Sequence, residues 1–308
     1  MLGDVALDGI RDRVLVLRRM PQLAELEHDD LALLAEHAHL VHGRAGTVLL
    51  EENSALDRVF IMVEGKGELT RREIVTEITG PRIVGLLELS AGVEVAPGFA
   101  LKERSLLLEL PAEVMHAMLY ENAAIARNIV RLTARGLLAS RDNLPYSSEE
   151  AGEPREGTWN ERSLTTVERV LALRRAPIWA RANLDALAEL AKHIEEQRVP
   201  PGTVLWEIGD EATRSVRVEY GIINCTNQAG SSVRVGAGFQ IGALDSLAVQ
   251  PRSYRAVTET KAILYSVPAA TQLAVIEVHS NLAARLRVQL SRALLLACLL
   301  YTSDAADE

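Results

Sequence analysis

The sequence predicts two tandem domains, each a small antiparallel β-barrel of the jelly-roll kind flanked by helices, a mainly β architecture with α. Three observations predict it. Arg13-Val14-Leu15-Val16-Leu17-Arg18-Arg19-Met20-Pro21 returns as Arg169-Val170-Leu171-Ala172-Leu173-Arg174-Arg175-Ala176-Pro177, and Gly46-Thr47-Val48-Leu49 returns as Gly202-Thr203-Val204-Leu205, both 156 residues on. After each of these glycines the hydrophobic spacing changes from helical to alternating. Each copy then closes on an apolar run that stops at a proline, Pro111 or Pro268, before a new helical stretch. A unit this long exceeds the ~20–50 residues of a solenoid repeat, so each copy has its own core.

In order along the chain, Leu31, Leu34, Ala35 and Ala38 have helical spacing, as do Leu184, Leu187, Leu190, Ala191 and Ile194 in the second copy. Asp29 and Asn183 are the expected N-caps. Arg18-Arg19 and Arg174-Arg175 close helices, where cations are favoured. Val48, Leu50, Val59, Ile61 and Val63 alternate as strand residues do, with turns at Asn53-Ser54 and Glu64-Gly65. Frequent turns between short strands imply a barrel or jelly roll. The barrels end at Leu106–Leu110 and Ala262–Ser266, and Pro111 and Pro268 suit a first helical turn.

A longer helix ends each copy. Ile125, Ile129, Leu132 and Leu137 share one side of the first, over about 123–141; Leu282, Leu286, Leu290 and Leu294 stripe the second. The second stripe is expected on its own barrel or on a second subunit. Between the copies, the polar, acidic segment Pro145–Pro154 reads as an exposed linker. The expected bounds are 1–142 for the first domain, 143–160 for the linker and 161–297 for the second domain. Residues 298–308, CLLYTSDAADE, read as the translated end of a transposon-based sequencing adapter, so the natural chain is expected to continue past Ala297.

The net charge is −9; Asp304, Asp307 and Glu308 contribute three of these charges, leaving −6 before residue 298. Such a chain offers no basic field for nucleic acid. Outside 298–308, Cys225 is the only cysteine, which excludes an internal disulfide and a thiolate metal cluster and suits a reducing compartment. It is expected in a buried strand. Leu2-Gly3-Asp4-Val5 opens no signal peptide, and no apolar run is long enough to span a bilayer. The expectation is a cytoplasmic protein without membrane association.

Helix, polar-x-Ala/Pro-Gly-Thr-Val-Leu, short barrel and two helices is a layout that resembles the cyclic-nucleotide-binding domain of catabolite-activator-like regulators and protein kinase A regulatory subunits. The residues that carry the resemblance are Arg44–Glu52, Asp57–Gly65 and Pro200–Asp210, and it spans nearly all of both repeats. It implies one phosphate-binding cassette per domain, roughly Phe-Gly-Glu-Leu-Ala followed by Pro-Arg-x-Ala. There, backbone amides and an arginine hold a cyclic phosphate and a glutamate takes the ribose hydroxyl.

In the second repeat Phe239–Leu247 aligns with this cassette and Pro251-Arg252-Ser253 with its arginine segment, but Ala243 stands at the glutamate position. The implied ligand residues are Gly242, Ala243, Leu244, Arg252 and Ser253. Loss of the charged hydrogen bond costs about 1.5–3 kcal/mol, about ten- to a hundredfold in affinity. In the first repeat Leu86 stands at the glutamate position, Glu88 falls two residues late, and Gly92–Lys102 supplies no aligned arginine; this cassette reads as degenerate.

Other signals have plainer readings. His37, His39 and His42 resemble the metal site of a jelly-roll enzyme, but His37 and His39 fall at a helix end and read as solvated. Asp57, Arg58, Glu51 and Glu52 make a solvated turn. Ser140 and Ser253 lack a histidine–carboxylate pattern. Gly236-Ala237-Gly238 is a tight turn before the second cassette, with no dinucleotide-binding context.

The function expected is a non-catalytic regulatory or sensor protein, with no metal and no cofactor beyond a weakly held cyclic nucleotide, cyclic AMP or cyclic GMP. A protein partner or a homodimer would engage the terminal helix. The alternative is the effector part of a DNA-binding transcription regulator whose helix-turn-helix lies beyond residue 297; nucleic acid is a partner only in that case.

Overall fold

A computed structural model describes residues 9–24, 26–146, 151–176, 179–180 and 182–300. Leu2–Val5, Ser147–Glu150, Pro177 and Tyr301–Glu308, all used above, lie outside the described residues. The chain forms two compact units, Met1–Ile129 with Arg287–Glu308, and Val130–Leu286.

In the first unit, helices α1 (Ile10–Arg18) and α2 (His28–His37) precede β1 (His39–Gly43), β2 (Val48–Leu50), β3 (Arg58–Glu64), β4 (Lys66–Arg71), β5 (Ile74–Thr79) and β6 (Arg82–Val84). The short helix α3 (Leu86–Ala91), β7 (Gly98–Leu101), β8 (Ser105–Pro111), α4 (Ala112–Glu121) and α5 (Ala123–Ala139) follow. Two four-stranded antiparallel sheets, ordered β1-β8-β3-β6 and β2-β7-β4-β5, make the roll. Inward residues of both sheets, among them Leu50, Phe60, Met62, Phe99 and Leu107, fill it. Leu17, Leu31, Leu34, Val59, Ile61 and Leu108 join the flanking helices to its outer face.

The second copy has the same order: α6 (Thr166–Arg175), α7 (Leu184–Lys192), β9 (Glu195–Val199), β10 (Val204–Trp206), β11 (Arg214–Tyr220), β12 (Ile223–Asn227), β13 (Ser232–Val235), β14 (Gln240–Ile241), α8 (Ala243–Ala248), β15 (Tyr254–Thr258), β16 (Ala262–Pro268), α9 (Ala269–Val278) and α10 (Ser280–Leu300). Its sheets run β14-β11-β16-β9 and β10-β15-β12-β13, matching the first roll strand for strand. Cys298, Leu299 and Leu300 continue α10.

The sequence repeats mark the joints of this plan. Arg13 donates to Ala38 O at 2.6 Å, and its counterpart Arg169 donates to Ile194 O at 3.0 Å, so one repeated arginine ties each leading helix to the start of its barrel. Gly46 and Gly202, at φ +83° and +77°, turn the chain where a Cβ would be strained, and each amide donates at 2.7 Å to the strand opposite, to Leu101 O and Thr258 O.

Several local expectations are corrected. Helix α2 starts at His28 with Glu27 as N-cap, placing Asp29 in the first turn, where it serves the helix dipole without capping it. Asn183 does cap α7, accepting from the Ala186 amide at 2.8 Å. Pro111 and Pro268 occupy the N-cap positions of α4 and α9. His39 and His42 lie on β1, and His37 Nδ1 is 2.9 Å from Leu33 O. The stretch expected to be exposed between the copies is exposed only in part: Ala151, like Leu144 just before the stretch, is buried in the second unit's barrel core, whereas Gly152 and Glu153 are exposed. Beyond it, the Tyr220 hydroxyl donates to Glu156 at 2.9 Å and Trp159 stacks edge-on to Tyr220 at 5.2 Å. Gly236 lets the backbone at Arg155 pass closely, a Cβ there falling 2.3 Å from Arg155 O. Leu282, Leu286 and Leu290 of α10 are buried within the chain itself.

Candidate functional site

In the second unit β14 delivers the chain to Gly242, whose φ of +73° turns it into α8. Helix α8 ends at Val249 in the left-handed region, and Gln250-Pro251 leads into Arg252 and β15. A short helix between two strands, followed by an arginine that folds back on the helix start, is the cassette arrangement.

In this second cassette the arginine is turned inward. Arg252 is 2% exposed; Nη1 donates to Gly242 O at 2.9 Å, Nη2 donates to Arg214 O, and the guanidinium lies 4.1 Å over the Trp206 ring. The left-handed φ at 242 favours glycine, and a Cβ there would stand 2.4 Å from Nη1, so a larger residue would also have to displace the guanidinium. The Gly242 amide donates to the Tyr254 hydroxyl at 2.6 Å, and Tyr254 packs against Trp206 with centroids 5.9 Å apart. Ala243 and Leu244, half-buried on α8, carry no polar side chain. Ser253 donates through Oγ at 2.7 Å and through its amide at 3.2 Å to Asp245 Oδ1.

Asp245 is the residue that alignment to the family pattern missed. It is fully buried, its Oδ2 is 3.9 Å from Arg252 Nη1, and neither Oδ2, Arg252 Nε nor Trp206 Nε1 has a hydrogen-bond partner. Burial pushes the carboxyl above its ordinary range, with the Ser253 hydrogen bond and the Arg252 charge pulling the other way; burial lowers Arg252. An open cleft of about 630 Å³ has Arg252 and Ser253 in its wall, with Asn143, Ile208, Asn227 and Pro251.

The first cassette differs at the equivalent position. The backbone pair Asn53 N to Ala96 O (3.0 Å) and Ala96 N to Ser54 O (2.8 Å) returns as Gly209 N to Arg252 O (2.9 Å) and Arg252 N to Asp210 O (2.8 Å). Ala96 therefore stands where Arg252 stands. Glu88 occupies the third position of α3, as Asp245 does in α8, and is likewise buried; Arg71 donates to it at 2.6 Å. A buried acid in the cassette helix is thus common to both copies, and shifting the repeat offset by one residue past Gly85 and Gly242 would have revealed it. A smaller cleft of about 360 Å³ lies here, with Glu52, Arg71, Glu88, Val95, Arg292 and Leu296 in its walls.

Elsewhere, Cys225 is buried in β12 and burial pushes its thiol up. Among the described residues no group of three or more ligating side chains could hold a metal ion, and no helix is long and apolar enough to cross a membrane.

No protein-family pattern matches the chain, and no curated protein matches it. Solved structures do. The regulatory domain of Toxoplasma gondii PKA, solved with cAMP, is 13% identical, covering 87% of this chain and 92% of that one at a TM-score of 0.34. The sensor domain of the transcriptional regulator DNR from Pseudomonas aeruginosa is 13% identical over 41% of this chain and 89% of that one, at 0.38. A putative cyclic nucleotide-binding protein from Geobacter metallireducens is 18% identical over 44% and 99%, at 0.37.

Proposed function

We propose that this chain is a non-catalytic regulatory protein of the cytoplasm in which the second cyclic-nucleotide-binding-like domain takes a phosphate-bearing ligand weakly and the first serves as its structural counterpart. The observation that supports this reading is the state of Arg252. A buried guanidinium hydrogen-bonded to two neutral carbonyls and stacked on a ring, with the Asp245 carboxylate 3.9 Å away and outside hydrogen-bond reach, stands at the wall of an open cleft and has a closer anionic partner available in a phosphate. Those existing contacts must be exchanged on binding, and Ala243 supplies no acceptor for a ribose hydroxyl, so affinity is low.

Calorimetric titration with cyclic AMP and cyclic GMP tests it on three proteins: the parent, Arg252→Ala and Ala243→Glu. The parent is expected to bind weakly and Arg252→Ala not at all, while the restored acceptor in Ala243→Glu tightens binding about ten- to a hundredfold. Equal binding by parent and Arg252→Ala, or an Ala243→Glu protein that folds and binds no better, overturns the proposal.

A further inference from the structure

The last residue of each cassette helix offers a carbonyl that its own helix cannot use. In both copies the same kind of atom takes it: Arg292 Nε donates to Ala91 O at 2.8 Å, and Arg135 Nε donates to Ala248 O at 3.2 Å. The two pairs are equivalent throughout. Ala91 and Ala248 end α3 and α8, and Arg135-Gly136-Leu137-Leu138 matches Arg292-Ala293-Leu294-Leu295 at the same 157-residue offset that relates the two alanines. A cation at a helix C-terminus satisfies an orphan carbonyl and meets the negative end of the helix dipole.

The donors, however, come from the wrong repeats. Arg135 lies on α5, which follows the first barrel, yet it caps the second cassette; Arg292 lies on α10, which follows the second barrel, yet it caps the first. The compact units have the same crossed composition, the first containing Arg287 onward and the second containing Val130 onward. In the first unit Arg287, 1% exposed, reinforces the cap by donating to Ser90 O at 3.1 Å beneath the Tyr120 ring. The crossed segments also reach the clefts: Arg292 and Leu296 wall the first, Asp142 and Asn143 wall the second, and Asn227 Nδ2 donates to Asp142 O at 2.7 Å.

We propose that the two cassettes are latched crosswise, each helix α3 or α8 being held by the long helix that follows the other barrel, with the first cleft completed by α10 itself and the second by the turn that follows α5. A displacement of the second cassette is then delivered to the helix of the first repeat. This stands whether or not either cleft takes a phosphate.

The test is hydrogen–deuterium exchange on the full chain, comparing Arg135→Ala and Arg292→Ala with the parent, and Arg135→Gln and Arg292→Gln as milder replacements. Both arginines are exposed enough at the surface for the fold to tolerate the change. Arg135→Ala is expected to speed exchange about tenfold in 243–250 and leave 86–93 unchanged; Arg292→Ala does the reverse, each reflecting one charge-assisted hydrogen bond. The helix 28–37 serves as the reference for a general loss of stability. Faster exchange in the cassette preceding the substituted helix, or no local change in either, overturns the proposal.

Discussion

Replacing Arg252 with alanine strips three contacts from one buried point: the bond to Gly242 O, the bond to Arg214 O and the stack on Trp206. Gly242 O keeps Ser246 Oγ at 2.9 Å and Asp245 keeps Ser253, so some of the surroundings remain satisfied. The Asp245 carboxylate, however, loses the cation beside it and keeps only neutral hydrogen-bond donors such as Ser253. Removing one partner of a buried pair costs about 3–5 kcal/mol, a large part of the ~5–15 kcal/mol that holds a typical protein folded. The expected result is a loss of about that size in chemical denaturation at neutral pH. Adding Asp245→Asn should recover at least ~1 kcal/mol, the coupling typical of residues in contact.

The pH dependence has a definite sign. Burial raises the Asp245 carboxyl in the folded state, so its ionisation opposes folding increasingly as pH rises from its unfolded value through its folded one. Losing Arg252 removes one of the groups that hold it down. The gap between variant and parent should therefore narrow as pH falls through that window. A loss under ~1 kcal/mol at neutral pH, or a gap that widens on acidification, would refute the view that Arg252 is held by its own domain.

Three further outcomes follow from other contacts. Tyr254→Phe leaves the buried Gly242 amide without its acceptor and should cost about 1–3 kcal/mol in the same denaturation assay; no loss would mean the amide finds another partner. Glu168, in the capping box of α6 and bound by Arg162, has its carboxyl lowered to about 2, chiefly by that arginine. Its NMR titration midpoint should rise toward 4.5 in Arg162→Ala, and the contribution it makes to stability should be present above pH 4.5 and fade as pH falls toward 2. Cys225 should resist thiol reagents in the folded protein and react once denaturant is added; rapid native labelling would contradict its burial.

Much of the architecture was legible because its signals are local. The two Gly-Thr-Val-Leu turns need a left-handed residue, and the recurring Arg13 and Arg169 reach fixed carbonyls, so the repeat in sequence is a repeat in structure. The sites were less legible. The family pattern directs attention to the residue after the cassette glycine, here Ala243 or Leu86, whereas the buried acids stand two places later at Asp245 and Glu88. Trp206 could not be tied to Arg252 from spacing, because a strand far back in the chain brings the ring under the guanidinium. The burial of Leu144 and Ala151 was hidden by the polar and acidic residues around them, which dominate the composition of the segment.

The difference between Ala96 and Arg252 acquires its meaning from the presence of both copies on one chain. In an assembly of two identical chains, any change at the cassette arrives on both sides together, and a site cannot be lost without losing its twin. Two copies on one polypeptide are inherited as separate positions. The two positions can therefore differ, and in this chain the second copy sets Arg252 beside its buried acid Asp245 where the first has Ala96 and pairs its own buried acid, Glu88, with Arg71 from a neighbouring strand.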